Sequence, residues 1–424
     1  MCDDVGNKRL PVRWFSAFLL EVLTFGFILS SCASVPPNVQ PQVNSLIVAN
    51  KTDRAIQLLE ENRKAYGPNN ELLYLLDEAL VLHVAKRYAD SIPVFEDAKS
   101  KFDELYTQSL SKGLSAWVIN DYRSPYHGED FEHVLVNIFQ ALNFAALNDF
   151  NEALVEARDV DDKLSLINRQ YPPDQKNVYK EDAFARLLMG ILYEVNQTQP
   201  DDNDAFISYQ KSYQTYTQDY TVNYGTEIPS ILKENLLASA QFMGPETSGE
   251  YRQKLNDVPF MSLEEKRKKG QVYLIQYNGL APIKTQFSLP VPLPGGFITR
   301  LAFPKYNERL YEIENSFLSA KSDTGKGFET KTELVENISR IAVQNLENRK
   351  VRLFAKAVAR PAAKYVLEKT AEAGIRSRSG DNTALAFRIV SSLFNVYSEQ
   401  ADLRSWQTLP AELRLARFIL EPGA

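Results

Sequence analysis

The sequence predicts a mostly α protein: a helical-repeat solenoid comes first, and a smaller α+β module follows it. Three observations carry this prediction. Apolar residues recur at helical spacing from about Val43 to Leu255. Beyond Lys266 the pattern changes to alternating, β-branched and aromatic runs closed by turn residues such as Asn278-Gly279. The chain is 424 residues long and 44% hydrophobic, which suits more than one unit, each with a core. Two Cys and three His leave little for a disulfide scaffold or a Cys/His metal centre. A net charge of -6 gives no electrostatic reason to expect nucleic acid.

The N-terminus reads as an address. Lys8, Arg9 and Arg13 precede an apolar run, Phe15 to Leu29, which ends in Ser30-Ser31-Cys32. A basic head, a short apolar stretch and small residues before a cleavage point make a secretory signal peptide over 1–31. Small residues ending in Cys are similar to the bacterial lipobox, in which the Cys32 thiol carries diacylglycerol through a thioether. Glu21 interrupts the apolar run, and Asp3 and Asp4 dilute the basic head. The run is also shorter than the roughly 20 residues a spanning helix needs. A membrane contact through lipidated Cys32 is therefore expected, with Ala33 at the next position resembling lipoproteins sorted to the outer membrane. Residues 32–42 hold Pro36, Pro37 and Pro41 and are predicted to form an extended tether.

Residues 43–255 form the predicted repeat array. One block places Ala141, Phe144, Phe150, Ala153 and Ala157 around a turn at Asn148-Asp149. A second has Ala79, Leu82, Tyr88, Ser91, Phe95 and Ala98, and a third has Gly190, Tyr193, Ala205, Tyr209 and Ser212. Ala55 and Leu59 give a half-match. Small residues let two helices approach, and the aromatic fills the groove between units, which is tetratricopeptide-like. The small residues 55, 91, 153 and 205 are unevenly spaced, so insertions are expected, and Pro93 requires its helix to begin near Asp90.

A concave solenoid face usually binds a peptide or protein. Tyr209, Tyr213, Tyr216 and Tyr220 fall on one helical stripe, read either as core packing or as an aromatic wall for a partner. The insertion near Asn120 leads into a helix on which Glu129, Glu132 and His133 share a face, with His127 nearby. Without a His-Glu-x-x-His motif or paired Cys, helix capping is the expected role, and no metal or cofactor is assigned. His83, within an apolar helix, reads as a core or interface histidine.

In the second module, 266–424, strands are predicted at Gln271–Tyr277, Gln286–Leu293 and Phe297–Pro304. Prolines 290, 292 and 294 push the middle one to an edge. A long helix is expected from Thr332 to Ala373, kinked at Pro361. On it Arg349, Arg352, Lys356, Arg360 and Lys364 form a basic face opposite Val351, Phe354, Ala355 and Val358. That face is read as solvated or as docking to an anionic lipid or acidic protein surface. A loop at Arg376–Gly380, a helix from Asn382 to Tyr397 and a strand from Glu412 to Leu420 follow, with a return strand expected after it.

Together, Cys32, the block containing Ala153-Leu154-Val155-Glu156-Ala157-Arg158, the stretch Asn278-Gly279-Leu280-Ala281-Pro282, and Asp402-Leu403-Arg404-Ser405-Trp406-Gln407-Thr408-Leu409-Pro410 carry a resemblance. They are similar to a poorly characterised family of bacterial lipoproteins with tetratricopeptide-like repeats. Members of that family look like envelope proteins grouped with other small lipoproteins, and no reaction is established for them. The resemblance implies a lipid-anchored envelope location, most often the outer membrane, and a binding role. The expected function is a non-enzymatic scaffold with an envelope protein partner. The alternatives are an outer-membrane assembly factor or a hydrolase using paired carboxylates such as Glu129 and Glu132. No Gly-x-Ser-x-Gly, phosphate loop, metalloprotease helix or nucleophilic Cys supports the hydrolase, and no catalytic residue is assigned.

Overall fold

Helix starts and stops follow the sequence wherever small turn residues separate apolar periods. The structure, a computed structural model, describes residues 39–112, 124–169, 179–256, 258–313, 316–321 and 327–422. Cys32, the expected lipidation site, and the predicted leader lie outside the described residues. The array runs α1 (Val39–Val48), α2 (Thr52–Tyr66), α3 (Glu71–Val84), α4 (Tyr88–Lys112), α5 (Asp130–Ala146), α6 (Phe150–Arg169), α7 (Ala183–Asn196), α8 (Gln199–Thr215), α9 (Ser230–Met243) and α10 (Pro245–Lys254). Successive helices pack in pairs, and each pair packs on the next. The small residues that mark the repeats, Ala55, Ser91, Ala153 and Ala205, are all fully buried. Gly190 of α7 shows why: a methyl group there would enter the ring of Tyr209 on α8. Asn148 and Gln197 adopt left-handed backbone at the turns, relieving the helix ends before α6 and α8.

Two expectations change in this half. The extended tether predicted through residue 42 ends at Val39, where α1 begins, because Val39 and Val43 find a buried surface and Gln40 donates to Asp77 at 3.1 Å. Pro41 lies in the first turn, where its missing N–H is not needed. Helix α4 begins at Tyr88, so Pro93 sits in its second turn rather than its first.

A short helix α11 (Leu263–Arg267) carries a Ser262/Glu265 capping box and leads to β1 (Gly270–Asn278). Then come β2 (Ile283–Leu293) and β3 (Phe297–Asn307), β4 (Phe317–Lys321) and β5 (Gly327–Lys331), and β6 (Glu333–Glu336). After α12 (Ile338–Asn348), α13 (Lys350–Ser379) and α14 (Asp381–Ser398) the chain ends in β7 (Glu412–Leu420). The strands β2 and β3 form one antiparallel hairpin and β4 and β5 another. The third sheet has the order β1-β7-β6, antiparallel throughout.

The single long helix expected over Thr332 to Ala373 is a strand and two helices. Residues 333–336 pair with β7, and the Asn337 side chain accepts from Arg340 N to start α12. Helix α13 runs through Pro361 and includes the predicted loop Arg376–Ser379. Arg376 reaches back to Glu372 at 2.9 Å, and Gly380, with φ 85°, stops the helix. No return strand follows β7 among the described residues, and both sides of β7 are already occupied, by β1 and β6.

The boundary near residue 260 does not divide the core. Val335, Ile338, Trp406, Leu409, Leu413 and Leu415 belong to the same buried cluster as the array helices.

Candidate functional site

The chain's own segment 402–411 packs against α3, α4 and α5 of the array. Arg404 anchors its start: the guanidinium pairs with Asp402 at 2.6 Å and lies over the Tyr126 ring. It also donates to Asn69 O, Asn70 Oδ1 and Ser124 O at 3.0–3.2 Å. Trp406, essentially buried, sets its ring edge-on to Phe95 and Phe139 at about 6 Å between centroids. Its backbone N–H donates to Glu132 Oε1 at 2.8 Å. Thr408 Oγ1 donates to Asp77 Oδ1 at 2.9 Å. From the other side Ala281 N donates to Leu409 O at 2.7 Å, and Arg309 reaches Gln407 O at 2.5 Å. An irregular segment with a turn at Gln407-Thr408 is thus held by side-chain hydrogen bonds and an aromatic pocket.

The polar groups for which helix capping was expected are taken up by this packing. Glu129 and Glu132 form a capping box at the start of α5. Glu129 pairs with Lys284 and Arg349. Glu132 accepts from Tyr126 Oη at 2.6 Å as well as from Trp406. Burial pushes the Glu132 carboxyl up to about 7 and that of Asp77 up to about 6. Asp182, which caps α7 through Ala185 N, is likewise raised by burial to about 6. His133 packs on Phe102 and donates to His127 O at 3.2 Å. Among the described residues no group of three His, Cys, Asp or Glu is arranged to hold a metal ion.

His83 is the interface histidine that its apolar surroundings implied. Its Nδ1 lies 2.6 Å from Asn143 Oδ1, and its Nε2 lies 2.5 Å from Tyr277 Oη of β1. Burial pushes the imidazole down to about 4, so it is neutral at pH 7 and joins the array to the sheet by uncharged hydrogen bonds.

The four tyrosines are placed as the core reading requires. Tyr209, Tyr216 and Tyr220 are fully buried, and Tyr213 is half-buried against the core. Tyr209 Oη donates to Glu194 at 2.9 Å, Tyr216 Oη to Val335 O at 2.7 Å and Tyr220 Oη to Glu336 at 3.1 Å. Helix α8 widens into a π-helical segment, Tyr216–Tyr224, which stacks Tyr216, Tyr220 and Tyr224 edge to face at about 5 Å. Three of the four hydroxyls are thus satisfied within the chain, by α7 and β6.

Part of the basic face is engaged within the chain. Arg349 pairs with Glu129, while Arg360 and Lys364 meet Glu399, at 3.6 and 2.5 Å. The side chains of Arg352 and Lys356 lie outside the described set. Of the apolar residues opposite it, Val351, Phe354 and Val358 are exposed. Sequence reasoning missed the groove-filling role of Arg404, Trp406 and Thr408, although the stretch holding them stands out in the sequence.

No family model matches this chain, and no curated protein matches it. Among solved structures it is similar to a Podosopora anserina protein described as a kinesin light chain with nearly identical TPR-like repeats. That match has 12% identity and a TM-score of 0.33, over 55% of this chain and 96% of the other. A superposition that loose says nothing of what this chain binds.

Proposed function

We propose that the chain is a non-catalytic, protein-binding scaffold of the bacterial envelope, held to a membrane by lipidated Cys32. The observation that supports a scaffold is the closed array. Residues 402–411 occupy the surface offered by α3, α4 and α5, and the ionisable groups there are engaged with one another and with that segment. Such a body offers its outer helix faces rather than its groove, and exposed apolar residues such as Val155 and Ile207 lie on those faces. The membrane address rests on Ser30-Ser31-Cys32 and the apolar run before it.

The experiment is in-cell photocrosslinking from probes at Val155 and Ile207, with probes in place of the buried Tyr209 and Tyr216 as controls. A reproducible protein captured from the outer positions supports the scaffold; capture of abundant neighbours alone, with no preferred position, counts against it. Cys32→Ala tests the address separately. Release of the chain from membranes with processing blocked is expected, and unchanged processing and membrane retention would remove the lipoprotein reading.

A further inference from the structure

The hairpin of α13 and α14, packed against β2 and β3, is inside out. Its interior is polar. Glu372, buried, takes Arg388 at 2.5 Å. Asn395, also buried, donates to both oxygens of Glu368 at 2.9 Å. Buried Glu399 holds Arg360 and Lys364, and Ser392 Oγ accepts from Ile298 N at 3.2 Å. The buried apolar side chains described on these two helices are only Pro361 and Ala384. Its exterior is apolar. On α14, Leu385, Ile389 and Leu393 recur every fourth residue at 51%, 53% and 67% exposure. On α13, Val351, Val358 and Val366 share one face at 79%, 41% and 62% exposure. Side chains of this size, contiguous and exposed, mark a surface that is covered in use.

Charge identifies the cover. Residues 283–307 and 350–399 carry twelve Lys and Arg against four Asp and Glu, a net charge of +8 within a chain of net charge -6, and Lys305, Lys350, Lys369, Arg376 and Arg378 among them are exposed. The remainder is therefore at -14. A second copy laid face to face would set +8 against +8. An anionic bilayer offers both complements at once, negative headgroups for the basic residues and acyl chains for the exposed leucines and isoleucine. Among the described residues no helix is long and apolar enough to cross a membrane, and α13 carries charge along its length, so the unit fits the interface plane. We infer that the apolar outer face of the α13–α14 hairpin docks onto a phospholipid surface containing anionic lipid. This contact involves residues far from Cys32 in sequence and does not depend on its lipidation.

The test uses the full chain with Cys2→Ser and Cys32→Ser, which removes both native thiols and any acyl anchor. Leu393→Cys carries an environment-sensitive fluorophore, and Val48→Cys on α1 carries it in a control. The expected result is a blue shift at residue 393, but not at 48, on vesicles of phosphatidylglycerol and phosphatidylcholine. Binding to pure phosphatidylcholine should be at least tenfold weaker. The pair Leu385→Asp and Ile389→Asp, both at exposed positions and with helicity checked by circular dichroism, should abolish the shift. Three results would overturn the inference: no shift on anionic vesicles, binding that survives the double substitution, or a shift that appears without lipid as protein concentration rises, which would make a second copy the cover.

Discussion

Removing the Trp406 side chain takes away the wedge that holds segment 402–411 in the array. The indole is essentially buried, with its ring edge-on to Phe95 and Phe139. A buried indole removes roughly 200 Å² of largely apolar surface from water, worth about 5 kcal/mol at about 25 cal/mol per Å² as an upper figure. Measured truncations of buried aromatics cost about 3–5 kcal/mol because a cavity remains. Trp406→Ala should therefore lower unfolding free energy by about 4 kcal/mol, a large share of the roughly 5–15 kcal/mol a folded protein commands. Trp406→Phe, which keeps a ring against Phe95 and Phe139, should recover more than half of the loss. Urea unfolding followed by far-ultraviolet circular dichroism measures both. A Trp406→Ala loss under about 1 kcal/mol would refute the wedge, since the segment would then contribute little to holding the array closed.

Two further outcomes follow from the geometry. Gly190→Ala drives a methyl group into the Tyr209 ring and should cost about 1–3 kcal/mol by overpacking, whereas Gly249→Ala on α10, which meets nothing within 4 Å, should be neutral or slightly stabilising; equal effects in thermal melts would contradict the close α7–α8 approach. Burial raises Glu132 to about 7, so the folded protein keeps a proton that the unfolded chain releases, and this contribution is full below the usual carboxylate value and lost as pH rises through about 7. The urea midpoint of the wild type should therefore fall more steeply between pH 5 and 7.5 than that of Glu132→Gln, since each pH unit between the folded and unfolded carboxyl corresponds to about 1.4 kcal/mol; parallel pH profiles would show that Glu132 is not a proton holder.

Periodicity made part of the fold legible. Ala55, Ser91, Ala153 and Ala205 could be picked out because close helix approach demands small side chains wherever two helices cross, and all four are buried. The strands β1 and β7 were legible from alternation and the Asn278-Gly279 turn. Segment 402–411 was not, because it has no period, and its partners, Asn70 and Asp77 among them, lie more than 300 residues away. Strand β6 was hidden by its length of four residues and by the helix that follows at once. Helical spacing separated a basic from an apolar face between Arg349 and Lys364 but could not say which looks inward. That was decided by Glu129 and Glu399, acids from distant segments that neutralise Arg349, Arg360 and Lys364. The tyrosine stripe was ambiguous for the same reason until Glu194, Val335 and Glu336 were placed beside its hydroxyls.

The position of β7 in its sheet has a consequence for how the chain comes to be folded. This last strand lies between two earlier ones and pairs across a gap of more than 130 residues with β1. The array can form its local helix pairs as soon as they emerge, since neighbouring helices need only short loops to meet. The pocket at Phe95 and Phe139 stays open, and β1 lacks its β7 partner, until residues 402–420 arrive. A chain cut short before residue 412 would hold a nearly complete set of helices and still leave an unpaired strand and an unfilled aromatic pocket, a form open to proteases and to association with other chains. Synthesis through β7, rather than of any single helix, is the step that commits these residues to their final state.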